Sequence, residues 1–112
     1  MANTFKLKTK AGVTTLATVY TVPSSTTAIV LGCVIGNTTS NSVNTTVTIS
    51  SDTSDTETNA DVEILTTTPI PGNSSLEIMA GNKIVLNADD RVKVDASVAD
   101  KVSVTMSYME IT

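Results

Sequence analysis

The sequence predicts an all-β protein, a single antiparallel β-sandwich of about seven to nine short strands with jelly-roll or immunoglobulin-like connections. Three observations point there. No stretch carries the 3.6-residue apolar period of a helix, and the apolar segments are short or alternate strictly with polar residues. Turn signals built from Gly, Pro, Asn, Asp and Ser separate them at intervals of about 8–12 residues. Ser and Thr together make up about three residues in ten, and threonine, stiff at its branched Cβ, suits a pleated half-exposed surface and disfavours helices. A chain of 112 residues is the size of one domain with one modest core. We assign residues 1–12 to an N-terminal arm or edge strand and 13–112 to the sandwich.

The elements follow in order. Phe5 and Leu7 alternate with Lys6, Lys8 and Lys10, the pattern of an edge strand whose lysines discourage sheet-to-sheet aggregation, or of an arm lying on a partner. After Ala11-Gly12, a strand within Thr15–Val22 ends at the turn Pro23-Ser24-Ser25. Thr27–Gly36 is the strand around which the rest is organised. Ile29, Leu31, Cys33 and Ile35 alternate with Ala28, Val30 and Val34, so neither face is written for water, and the pattern predicts a mid-sheet strand covered on both sides. Val43, Thr45, Val47 and Ile49 alternate with Asn44, Thr46, Thr48 and Ser50, a strand with one wet face. Ser51–Asp61 is a long polar loop. Val62–Leu65 begins another short strand, and Pro69–Asn73 is a proline-fixed turn. Leu76 and Ile78, Ile84–Leu86, and Val92 with Val94 mark three more strands, with turns at Gly81-Asn82 and Asn87–Asp90. In the last strand Val102, Val104, Met106 and Tyr108 alternate with Ser103, Thr105 and Ser107. Met109 and Ile111 then fall on the wet face, the sign either of a contact with another subunit or strand or, equally, of a hydrophobic tail that frays. A weak internal echo links Pro23-Ser24-Ser25 and the strand after it to Pro71–Ser75 and its strand; similar turns serve similar hairpins in any sandwich.

Chemistry is sparse. A net charge of −4 with pI near 4.5 argues against nucleic acid as a partner, because phosphate contacts need clustered Lys or Arg. Phe5, Tyr20 and Tyr108 are the only aromatic residues, too few for base- or sugar-stacking platforms. Without His, the usual activated-serine arrangements are unavailable, and no Gly-x-Ser-x-Gly elbow occurs. We therefore expect no enzyme, no catalytic residue, no cofactor and no metal. Cys33, alone of its kind and inside the most apolar run, reads as a small packed hydrophobe. Asp52, Asp55, Glu57 and Asp61 offer hard oxygens for calcium but lack the register of a known loop, so a solvated loop is the expectation. Three Asn-x-Ser/Thr sites, beginning at Asn37, Asn44 and Asn73, are accounted for by the abundance of those residues. The opening MANTFKLKTKAG lacks a signal-peptide core and no run is long enough for a membrane span, which predicts a soluble chain made in a cytoplasm, with no membrane partner.

Leu16–Gly32, with its Tyr20-Thr21-Val22-Pro23 turn, resembles a family of small virion structural proteins of tailed bacteriophages, notably marine and cyanobacterial ones. So do Pro69-Ile70-Pro71-Gly72-Asn73-Ser74-Ser75-Leu76 with Gly81–Leu86, and the closing Val102–Ile111 with its Tyr108-Met109-Glu110-Ile111 ending. The resemblance implies a non-enzymatic virion protein, first of all a decoration or cement subunit on the lattice of the major capsid protein. Other virion proteins are the alternative partners, through a tail, baseplate or fibre position. It carries no catalytic residues. A receptor- or carbohydrate-binding module using the Ser51–Asp61 loop is a further reading from a different class. Homo-oligomeric packing of many weak contacts suits a stiff, hydroxyl-rich sandwich. The candidate partner contacts are Phe5, Lys6, Leu7, Lys8 and Lys10 in the arm and Met109 and Ile111 at the C-terminal edge.

Overall fold

A computed structural model describes residues 2–51, 59–79 and 81–112. Among these residues the chain forms strands β1 Asn3–Val13, β2 Ala17–Thr21, β3 Thr27–Asn37, β4 Val43–Ser50, β5 Val62–Ile70, β6 Ser75–Glu77, β7 Ile84–Leu86, β8 Arg91–Ala96 and β9 Val102–Ile111. They make two antiparallel sheets. In sheet A the order is β1-β9-β3-β6, with β7 also pairing β3, and in sheet B it is β2-β8-β4-β5. β6 pairs Val34–Gly36 of β3 and β7 pairs Ala28–Val30, so the two short strands share one edge as halves of a broken strand. Every connection crosses between sheets except β4–β5 within sheet B and β6–β7 within sheet A. This strand order is that of a jelly roll, and it settles the choice left open by local patterns.

The core is the alternation made solid. Val102, Val104, Met106 and Tyr108 of β9 face Val92 and Val94 of β8 and Val43, Thr45 and Val47 of β4 across the sandwich, all buried. Tight corners take the residues that tolerate left-handed backbone: Ser25, Asn73, Asp89 and Asp100 all have positive φ. Gly72 is required by close approach, since a Cβ there would lie 2.2 Å from the carbonyl oxygen of Ser40. Asn37, buried at the end of β3, ties that corner together. Its Nδ2 donates to the carbonyls of Asn41 (2.7 Å) and Ile70 (2.9 Å), and its Oδ1 accepts from the Thr39 amide.

Three local expectations change. The apolar run of β3 does not keep one alternation, because the pairing with β9 shifts between Val30 and Gly32. Ala28 and Val30 point inward before this bulge and Cys33 and Ile35 after it, while Ile29 and Val34 point out. β5 begins at Val62 as expected but runs on through Pro69 to Ile70, the first two residues of the expected turn; proline is tolerated there because β5 is an edge strand. The cover expected on both faces of β3 is supplied on one face only by the described residues. Of the polar loop, residues 52–58, with Asp52, Asp55 and Glu57, lie outside the described residues.

Candidate functional site

Strand register places the outward side chains of sheet A in rows. In one row Phe5 of β1 pairs with Met109 of β9, Met109 with Ile29 of β3, and Ile29 with Val85 of β7. Four apolar residues thus lie side by side across four strands, at the cross-strand spacing of about 5 Å. Phe5 is 72 % exposed and Val85 61 %; Met109 and Ile29 are half-buried by their neighbours. The flanking rows add Ile111 and Leu7, the latter 64 % exposed. Of the predicted contact residues, Phe5, Leu7, Met109 and Ile111 are therefore brought together on one surface. Towards the other end of the same face come Ser107 and Gly32, then Thr105 beside the larger Val34 and Glu77, and last the small residues Ser103, Gly36 and Ser75.

The lysines go elsewhere. Lys6, Lys8 and Lys10 pair with Tyr108, Met106 and Val104, which puts them on the inner side of β1, at the open margin of the sandwich. Lys6 Nζ lies 2.7 Å from Glu110 Oε1, and Tyr20 Oη donates to Glu110 Oε2 at 2.5 Å. Tyr20 belongs to sheet B and Glu110 to sheet A, so this clasp joins the two sheets, with the Tyr20 and Tyr108 rings packed at a centroid distance of 4.4 Å. The Lys6 ammonium, then the Tyr20 hydroxyl, hold the Glu110 carboxyl below its ordinary value. Burial, then the Glu110 hydrogen bond, pushes the Tyr20 phenol up. The clasp is structural chemistry: its acceptor and donors satisfy one another.

Elsewhere the titratable groups are similarly occupied. Burial, with Glu77 nearby, pushes the Cys33 thiol up to about 12, and it is 1 % exposed. A groove of about 360 Å³ runs beside Ile49, Asn59, Val62, Ile84 and Asp90. Its one buried acid, Asp90, accepts from Ser51 Oγ and from the Asn87 amide, both at 2.9 Å. Among the described residues no group of three His, Cys, Asp or Glu side chains converges as a metal site. Sequence reasoning missed Ile29 and Val85 as members of the outer patch. The signal was the doubly apolar β3, whose outer partner could be found only by knowing that β7 pairs with it.

No family model and no curated protein matches the chain by sequence. Among solved structures, a chain from Bacillus endospore appendages, described as a novel family of disulfide-linked pili, shares the fold. It has a TM-score of 0.55 at 14 % identity, over 99 % of this chain and 87 % of that one. The similarity corrects the reading as a phage capsid-decoration or tail protein: the fold neighbour is a bacterial pilus protein, not a virion component. The structure gives the residues of these motifs a part within the chain. Tyr20, Tyr108 and Glu110 form the inter-sheet clasp, Val22 is fully buried, and Gly72 seats its turn on Ser40, so the resembling residues serve the sandwich itself.

Proposed function

We propose that this chain is a non-enzymatic structural subunit that works by packing against further copies of itself in an extended assembly, as the fold neighbour's pili do. The observation that carries the reading is the outer face of sheet A. Among its strand positions Glu77 is the one charged residue, and it bears the row Phe5, Met109, Ile29 and Val85. A face of this extent with a single charge, on an acidic protein, is an interaction surface by its composition. The absence of His and the saturation of the described buried acids support a role without catalysis.

The chemistry of assembly differs from the neighbour's in one respect. The neighbour's pili are disulfide-linked; here the single cysteine is buried and its thiol is held protonated, so assembly rests on non-covalent contacts. Sedimentation and electron microscopy of the purified full chain, with and without reductant, test this. Multimers that persist in reductant are expected. A chain that stays monomeric at all concentrations would overturn the reading, and multimers that dissolve on reduction would overturn its non-covalent basis.

A further inference from the structure

We propose that the outer face of sheet A is covered by the same face of a second copy, the two sheets stacking about a two-fold axis that runs across the strands. The inference rests on the self-packing role proposed above and names the surface and geometry of one of its contacts; a two-fold pair closes on itself, so an extended assembly joins such pairs through a further surface.

Three features of the face point to a second copy. The first is size. Four strands at a spacing of about 4.8 Å and about 34 Å of strand length give a face of roughly 650 Å². Stacking two such faces removes roughly 1,300 Å² from water in total, inside the range of about 1,200–2,000 Å² that specific interfaces occupy.

The second is Gly36. It sits outward in the interior of β3, its φ is not in the left-handed region, and a Cβ added there would meet nothing within 4 Å. Neither the backbone nor the packing of one chain calls for glycine at this position. The missing side chain leaves a hollow in the outer face at Gly36, which the bulky side chains of a facing surface can fill.

The third is shape. Bulky side chains fill one end of the face, in the Phe5–Val85 row, and Gly36, Ser75 and Ser103 leave the other end low. A two-fold axis across the strands lays the bulky end of each copy over the low end of the other, which keeps the sheets near their usual separation of about 10 Å. The one charge among the strand positions of this face is Glu77, exposed on the edge strand β6. Glu77 Oε1 is turned back onto its own chain, accepting from the Met79 amide at 2.8 Å.

Sedimentation equilibrium of the full chain tests the proposal. At concentrations between about 1 μM and 1 mM we expect species of even copy number built on twice the 11.6 kDa chain mass. Gly36→Leu, which has open space within one chain, should keep the far-ultraviolet spectrum of the native fold and weaken pairing at least about tenfold. Met109→Lys should do the same by placing a charge inside the contact. Lys93→Glu, on the opposite face of the sandwich, should leave pairing unchanged. A wild-type chain that is monomeric throughout would overturn both this proposal and the self-packing role. Multimers that ignore Gly36→Leu and Met109→Lys while both variants remain folded would overturn the stacked face alone, since assembly would then use another surface.

Discussion

The two outer faces of the sandwich, built by the same alternation, carry opposite compositions. On sheet B the outward positions are Arg91, Lys93 and Asp95 of β8, Glu63 of β5, and Asn44, Thr46 and Thr48 of β4. On sheet A they are Phe5, Leu7, Met109, Ile111, Ile29, Val34 and Val85 with serines, threonines and glycines between them. Sheet A has its charges too, but Lys6 and Glu110 sit on its inner side, at the clasp with Tyr20. Charge is thus sparse on one face selectively, with Glu77 of β6 its single charged strand residue. Stability of one chain depends on the inner faces of both sheets, and the association proposed above uses the outer face of one.

That division is easiest to break on β9, where two methionines stand three residues apart on opposite sides. Met106 is fully buried among the core residues. Met106→Ala should cost about 3 kcal/mol of unfolding free energy, and for a domain of this size lower the melting temperature by about 10 °C. Met109→Ala, on the outer face, should change the stability of the dissociated chain by less than about 0.5 kcal/mol while weakening association. Urea titration at a concentration low enough to hold the chain dissociated separates the two. Equal losses from both substitutions would end the distinction between an inner, stabilising side and an outer, associating one.

A second pair sharpens it with glycines. Gly72→Ala forces a methyl group onto the backbone of the Ser40–Asn41 peptide, which is not the movable end of a side chain, and should cost about 2 kcal/mol. Gly36→Ala should be neutral or gain up to about 1 kcal/mol for the dissociated chain, because an alanine in a strand interior restricts the unfolded chain more than glycine does. A destabilised Gly36→Ala chain would mean that the glycine serves the fold after all.

Much of this was legible in the alternation itself. β4 and β9 are written so plainly that their buried and wet faces follow from spacing two, and Met109 and Ile111 stand out as apolar residues on the wrong side. What was not legible depends on partners far away in the chain. The bulge between Val30 and Gly32 reverses which β3 residues point inward, and local pattern gives no hint of it because both phases of that strand are apolar. Glu110 reads as one more exposed acid until β2 brings Tyr20 and β1 brings Lys6. Lys6 looks like Lys8 and Lys10 in sequence and differs only by standing opposite Tyr108, one step from Glu110. Motifs such as Tyr-x-Glu-Ile register the needs of the fold and are silent on what the fold assembles into.

The smallest effect we expect concerns that clasp and follows from its charge. Lys6 and Tyr20 lower the Glu110 carboxyl in the folded chain below its ordinary value of 4.5. As pH falls through 4.5 the unfolded chain takes up a proton that the folded chain still refuses, so folding loses stability with acid. The contribution is complete above about pH 4.5 and gone once pH has fallen below the lowered value. Lys6 acts in the opposite limb: its ammonium, hydrogen-bonded to Glu110, is held above the ordinary 10.5, and its contribution disappears only as pH rises beyond that raised value. Glu110→Gln removes both dependences, so the gap between wild type and variant in urea midpoint should be widest near neutral pH and narrow towards pH 3. A gap that stays constant across the range would assign the clasp to hydrogen-bond geometry alone and leave the inner side of β1 without an electrostatic part in holding the two sheets together.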